Sequence, residues 1–98
     1  MIKRIVKMEF RPEEVENFKH LFDSNKTKIR SFEGCTHLEL WQDVNAPHIF
    51  MTYSFWHSEE NLNAYRASEL FKDVWSQTKI KFAQKPMAWS VNVLHQLN

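Results

Sequence analysis

The chain has 98 residues, of which 14% are aromatic, and its 13 Lys and Arg residues are balanced by 12 Asp and Glu residues. This length predicts one domain, and a balanced charge without a basic run argues against a footprint for nucleic-acid phosphates. A single cysteine, Cys35, excludes an internal disulfide and suits a reducing compartment. A single glycine, Gly34, excludes the Gly-rich loops that cradle nucleotide phosphates. No apolar stretch approaches the ~20 residues of a membrane span, so we expect a soluble, cytoplasmic domain over residues 1–98 without nucleic-acid or membrane partners.

The first half of the chain predicts strand, helix and strand. Residues 2–10 alternate between apolar and charged side chains, as a half-buried strand does. Pro12 suits a first helical position, and the helical stripe that follows it continues to about residue 30. Residues 35–42 read as a second strand, and residues 43–47 as a turn, because Asp and Asn tolerate turn geometry and Pro cannot enter a strand ladder.

The second half of the chain also predicts strand, helix and strand. Residues 48–56 are rich in aromatic and branched side chains and predict a third strand. Ser58 suits a helix N-cap with acidic residues in the first turn, and the helix should run over residues 59–83 with a bend near Ser68. Residues 87–94 predict a fourth strand. The order βαββαβ predicts an α+β, ferredoxin-like antiparallel sheet with both helices on one face.

Both faces of the third strand are apolar, so the sheet needs two covers. Phe50, Thr52, Ser54 and Trp56 fall on one side, and Ile49, Met51, Tyr53 and Phe55 on the other. The helices supply one cover. A second copy of the chain is the simplest cover for the other apolar face, which predicts a homodimer packed sheet to sheet.

The pairing of the second and third strands decides which polar residues share a face. We expect Trp41 opposite His48, which would place His37, Trp41, Thr52, Ser54 and Trp56 together beneath the helices. The opposite face would then be almost uniformly apolar and would form the dimer. A slip of one residue would exchange the two assignments.

An aromatic-lined pocket with a few polar groups is typical of a small-molecule site. The candidate catalytic residues are His37, Trp56 and Tyr65. His37 could act as a general base, because an imidazole titrates near neutral pH, and the rings of Trp56 and Tyr65 could hold a flat substrate. The candidate ligand-binding residues are Trp41, Thr52, Ser54, Phe71 and Trp75. The tryptophans could equally be core packing, and His37 a hydrogen-bonded structural residue. The histidines show no metal-ligand spacing, so we expect no metal site.

Three segments carry a resemblance to a known family. They are Phe10-Arg-Pro-Glu-Glu at the first helix, Phe32-Glu-Gly34-Cys before the second strand, and Trp56-x-Ser58-x5-Ala64-Tyr65-x2-Ser68-x2-Phe71. Over about residues 2–92 the chain resembles the antibiotic biosynthesis monooxygenase family of dimeric α/β barrels. The resemblance implies a ferredoxin-like subunit, a homodimer and a pocket between sheet and helices.

Some members of that family oxygenate phenolic or polycyclic substrates with O2 and no metal or flavin, whereas others have no known activity. A branch of the family degrades haem with an Asn, a Trp and a His. Trp56 matches that tryptophan, but Val6 and Trp75 stand near the other two positions, which disfavours haem degradation. Three hypotheses remain: a cofactor-independent monooxygenase acting on a small phenol or quinol, a non-catalytic module that binds a small apolar ligand, and a structural dimer with a filled pocket.

Overall fold

The computed structural model describes all 98 residues, Met1 to Asn98. It contains four strands and three α-helices, and a short 3-10 turn at Pro12–Glu14 leads into the first helix. In chain order the elements are β1 (Ile2–Glu9), α1 (Val15–Arg30), β2 (Cys35–Gln42), β3 (Ile49–Trp56), α2 (Glu59–Arg66), α3 (Glu69–Lys79) and β4 (Met87–Val91).

The four strands form one antiparallel sheet in the order β2-β3-β1-β4, and the helices cover one of its faces. This is the ferredoxin-like α+β fold that the sequence predicts. Two groups of buried side chains lie between sheet and helices. One is centred on Phe10, Phe18 and Phe50, and the other on Trp56 and Leu62.

The predicted pairing of β2 with β3 is wrong. Trp41 lies opposite Met51, which is three residues further along the chain than the predicted partner His48. Because side chains alternate between faces, an odd displacement moves every β2 side chain to the other side of the sheet. His37 and Trp41 therefore lie on the face away from the helices, and Leu38 and Leu40 lie beneath them.

The loop between β2 and β3 explains the displacement. Oδ1 of Asp43 accepts hydrogen bonds from the backbone N–H groups of Asn45 and Ala46, each at 2.8 Å, and this Asx-type turn stabilises a wider connection than a tight hairpin. The N–H of Asp43 donates to the carbonyl of Ile49 at 2.9 Å and closes the loop. An irregularity between Cys35 and His37 shifts the register again at the start of β2.

The predicted second helix is two helices. Ser68 interrupts it and caps the start of α3, so the expected bend is a complete break between α2 and α3. Helix α3 ends at Lys79, earlier than expected, and Phe82 pairs with Phe10 through an isolated β-bridge. The longest helix, α1, has 16 residues, and none of the helices combines the length and apolar character needed to cross a membrane.

Candidate functional site

A cavity of about 270 Å³ lies between the sheet and the helices, and 14 of the 20 residues around it are hydrophobic. Its wall includes members of both core groups, such as Phe18 from the first and Trp56 from the second. Protein interiors rarely leave voids larger than a water molecule. A gap of this size between two packed groups is therefore a candidate binding site.

Four aromatic rings form a continuous wall of the cavity. The ring of Tyr65 stacks on Trp56 at a centroid distance of 4.8 Å and meets Phe71 edge-on at 5.2 Å. Phe71 is nearly parallel to Trp75, with 5.8 Å between the centroids and 11° between the planes. Offset stacked and edge-on rings hold one another in place, so the wall presents rigid apolar surface to a ligand.

Trp56 is the anchor of this wall. It ends the central strand β3, between Ile2 of β1 and Cys35 of β2, and only 1% of its surface is exposed. Its indole Nε1–H donates a hydrogen bond of 3.0 Å to the hydroxyl of Ser54, which is itself buried. A buried indole N–H needs such an acceptor, so Ser54 satisfies the donor and helps to orient the ring.

The break between α2 and α3 positions the rest of the wall. The hydroxyl of Ser68 donates to the carbonyl oxygen of Tyr65 at 2.6 Å and accepts from the backbone N–H of Phe71 at 3.1 Å. One side chain thus ties the last turn of α2 to the first turn of α3. Ser58 caps α2 in the same way by accepting from the N–H of Asn61.

Few polar groups face the cavity. Thr52 lines it from β3, and Tyr65 from α2. Burial raises the pKa of the Tyr65 phenol to about 12, with a smaller contribution from Cys35. Tyr65 is therefore a neutral phenol near pH 7, and its hydroxyl can donate a hydrogen bond to an oxygen atom of a ligand.

Two arginines at the cavity were not expected from the sequence. Arg4 lies on β1 and Arg66 ends α2, and both line the cavity. Strand alternation could have identified Arg4, because it shares a face with Val6 and Met8. Arg66 instead reads as part of a solvated helix face. Burial, and then the charge of Arg66, lower the pKa of the Arg4 guanidinium.

The cavity wall contains no Asp, Glu, His or Cys side chain. Its only titratable residues are Tyr65 and the two arginines. A ligand inside the cavity therefore meets hydrogen-bond donors and positive charge, but it meets no carboxylate or imidazole that could accept a proton.

His37 and Trp41 lie on the opposite face of the sheet, called the open face below. His37 Nε2 contacts Glu39 Oε2, and the indole of Trp41 donates to Glu39 Oε1 at 2.8 Å. The hydrogen bonds from Trp41 and His37 lower the pKa of the Glu39 carboxyl. Trp41 stacks on Tyr53 with 4.6 Å between the ring centroids, and His37 is tilted over Phe55 at 4.5 Å.

The structure thus brings together six of the eight residues singled out from the sequence. They are Thr52, Ser54, Trp56, Tyr65, Phe71 and Trp75. The placement of His37 and Trp41 in the same pocket is wrong because of the register displacement. The alternation of Leu38 and Leu40 with the polar His37 and Glu39 was the signal that could have placed β2 correctly.

Comparison with known proteins agrees with this architecture. The family model for antibiotic biosynthesis monooxygenases matches residues 1–76. The chain belongs to this family. The matched span contains the whole aromatic wall from Trp56 to Trp75 and ends before β4.

The fold of this family member is similar to those of solved structures over nearly the whole chain. A crystal structure of an antibiotic biosynthesis monooxygenase superposes with a TM-score of 0.91 at 20% identity, covering 97% of this chain and 100% of the other. A conserved protein from Methanosarcina mazei Go1 gives 0.87 at 22% identity, with 92% and 89% covered. The protein Rv0793 from Mycobacterium tuberculosis gives 0.88 at 16% identity, with 99% and 98% covered. No curated protein matches the chain. At these identities the likeness establishes the fold.

Proposed function

We propose that this chain is a cofactor-independent monooxygenase that oxidises a small electron-rich aromatic, a phenol or quinol, with O2. The observation that carries the proposal is the aromatic wall from Trp56 to Trp75 along a cavity of about 270 Å³. Membership of the monooxygenase family supports it.

The size of the cavity favours a small ligand. An apolar cavity of about 150 Å³ accommodates benzene, whereas drug-sized ligands occupy pockets of about 300–1,000 Å³. The volume here lies between these values and suits one or two fused rings. Flat rings fit because Tyr65 and Trp56 offer stacked aromatic faces rather than flexible aliphatic chains.

The reaction needs no external reductant when a phenol with a free para position is the substrate. The phenol loses its hydroxyl hydrogen and its para hydrogen, one oxygen atom of O2 becomes the second carbonyl of the quinone, and the other leaves as water. The phenol supplies all the electrons, first as a phenolate that transfers one electron to O2. The resulting radical and superoxide then join through a C–O bond at the para carbon, and the O–O bond breaks as the para proton is lost.

Tyr65 is the catalytic residue of this proposal, because its neutral hydroxyl can donate to the oxygen of the substrate. Removing one preorganised donor of this kind typically lowers turnover by about 10²–10³-fold. Tyr65→Phe should therefore lower oxygen consumption by about a hundredfold with a panel of phenols and quinols. Tyr53→Phe on the open face is the matched control and should retain the rate. An absence of oxygen consumption with every phenol and quinol would contradict the monooxygenase proposal.

We also propose that two copies pair through their open faces. Trp41 and Trp89 on this face are 37% and 41% exposed, large values for tryptophan. The chain exposes 6625 Å², whereas a compact monomer of 11.8 kDa should expose about 5,900 Å². The pairing of two copies would remove surface of about the size of this excess of about 700 Å², to which the exposed residues 92–98 also contribute, since each partner buries ~800 Å² in a typical interface. Sedimentation at micromolar concentration tests the homodimer, and a monomer there would contradict it.

A second candidate is a non-catalytic module that binds a small aromatic in the same cavity. The specific observation in its favour is the absence of any carboxylate or imidazole from the cavity wall. Quenching of tryptophan fluorescence by phenols, without oxygen consumption, would select this function over the monooxygenase.

A further inference from the structure

We propose that the cavity binds its aromatic ligand as an anion, with the charged oxygen recognised by the guanidinium groups of Arg4 and Arg66. This inference rests on the proposed function in that it names the chemical form of the substrate. The shared chemistry is a negatively charged oxygen on a flat ring, whether phenolate or carboxylate.

The first support is the placement of the two arginines. Arg4 sits in β1 between Ser54 of β3 and Ser90 of β4, and its Nη1 donates to the hydroxyl of Ser90 at 3.1 Å. Arg66 ends α2, one residue after Tyr65 of the aromatic wall. The two residues reach the same cavity from the sheet and from the helical layer.

The second support is that neither charge is neutralised by the protein. None of the five ion pairs in the structure includes Arg4 or Arg66. Two cations beside the same apolar cavity repel each other, and the repulsion is stronger there than in water because the local dielectric constant is lower. An anion between them would relieve that repulsion and complete a charge-assisted set of hydrogen bonds.

The third support is the open side of the cavity. Among the residues that line it, Arg66, Met87 and Ala88 are exposed, and the last two belong to the edge strand β4. We therefore place the entrance between β4 and the end of α2, beside Arg66. A ligand entering there with its ring first would place its ring against Trp56 and leave its charged oxygen near the guanidinium groups.

This recognition also explains how a cavity without a base can use a phenol. No carboxylate or imidazole lines the wall, so the substrate must enter as an anion or lose its proton to water at the entrance. The arginines favour the anion over the neutral phenol and so lower the pKa of the bound ligand. They act by binding the charged form, and they accept no proton.

The test uses 4-nitrophenol, whose phenolate is yellow and whose electron-poor ring resists oxidation by O2. Its neutral counterpart is 4-nitroanisole, which cannot ionise, and 4-nitrobenzoate provides the carboxylate arm. Tryptophan fluorescence measures the affinity of the full-length protein for each probe, and visible absorbance measures the ionisation of bound nitrophenol. A charge-assisted hydrogen bond should make the protein bind the phenolate about tenfold more tightly than nitroanisole. The same preference for the anion over the neutral nitrophenol lowers the pKa of the bound probe by about one unit.

The variants Arg4→Gln and Arg66→Gln should each reduce this preference by about threefold, and the double variant should abolish it, while the affinity for nitroanisole stays unchanged. Arg66→Lys should restore part of it, because the charge remains. Lys72→Gln removes an exposed positive charge on α3 outside the cavity wall and is the control. Thermal unfolding verifies that each variant is folded, and Arg66→Gln should fold because Arg66 is exposed and makes no side-chain hydrogen bond.

Equal affinity for nitrophenol and nitroanisole, failure of all three probes to bind, or a phenolate preference that survives both Gln substitutions would overturn the inference. Tighter, arginine-dependent binding of nitrobenzoate would support it and identify a carboxylate as the recognised group. Oxygen consumption is measured separately with oxidisable phenols. Anion preference without oxygen consumption refutes the monooxygenase alone, and oxygen consumption without anion preference refutes the arginine inference alone.

Discussion

The hydrogen bond between Trp56 and Ser54 allows a quantitative test of how the cavity wall is held. Ser54→Ala would remove the acceptor of the indole N–H at a position where Trp56 is 1% exposed and Ser54 is 7% exposed. Leaving a buried donor without a partner costs about 1–3 kcal/mol. The substitution should therefore lower the free energy of unfolding by that amount.

The size of the chain converts this energy into a temperature. Unfolding entropy of about 2.1 cal/mol/K per residue, over 98 residues, makes 1 kcal/mol correspond to about 5 °C. The unfolding midpoint of Ser54→Ala should fall by about 5–15 °C in calorimetry at fixed protein concentration. Ser76→Ala, an exposed serine on α3, is the control and should change stability by less than about 0.5 kcal/mol.

A double-mutant cycle with Trp56→Phe isolates the hydrogen bond, because Phe keeps a ring but has no N–H to satisfy. Ser54→Ala should cost clearly less in the Trp56→Phe background, with a coupling of about 0.5–3 kcal/mol. Equal costs of Ser54→Ala in both backgrounds would refute the argument. They would show that the indole N–H does not depend on Ser54.

Three further predictions concern other parts of the molecule. Burial raises the pKa of Tyr65 to about 12 in the folded chain, from near 10 in the unfolded chain. Its contribution to the free energy of unfolding is therefore complete below pH 10 and is lost as pH rises to 12. Between pH 10 and pH 12, the free energy of unfolding measured in urea should fall by about 2–3 kcal/mol less in Tyr65→Phe than in the native chain. Gly34 has φ +90°, and a Cβ there would lie 2.4 Å from Cβ of Asn61. Gly34→Ala should therefore cost about 1–3 kcal/mol in the same assay, and an unchanged stability would contradict the tight contact. Phe55→Glu on the open face should convert the proposed dimer to monomers in sedimentation, whereas Val44→Glu in the exposed loop should not. A Phe55→Glu dimer as stable as the native one would exclude the open face as the interface.

Local patterns in the sequence determined the element order and most element boundaries. Pro12 and the capping serine Ser58 mark helix starts through backbone chemistry that involves only neighbouring residues. Ser68 marks the break in the helical segment for the same reason. The aromatic spacing around Trp56 was enough to predict a wall beneath the helices, because β3 must turn one of its two sides inward.

The pairing of β2 with β3 decided which β2 residues share the cavity, although the alternation of Leu38 and Leu40 with polar neighbours indicated the apolar side of β2. Strand pairing depends on the width of the loop that begins at Asp43 and on the irregularity after Cys35, and neither follows from alternation within a single strand. The placement of Arg4 and Arg66 at one cavity likewise required the packing of α2 against the sheet, since 62 positions separate them in the chain. Local sequence determines the elements because their hydrogen bonds and caps are local, whereas the chemistry of the cavity depends on contacts that form only when distant segments pack together.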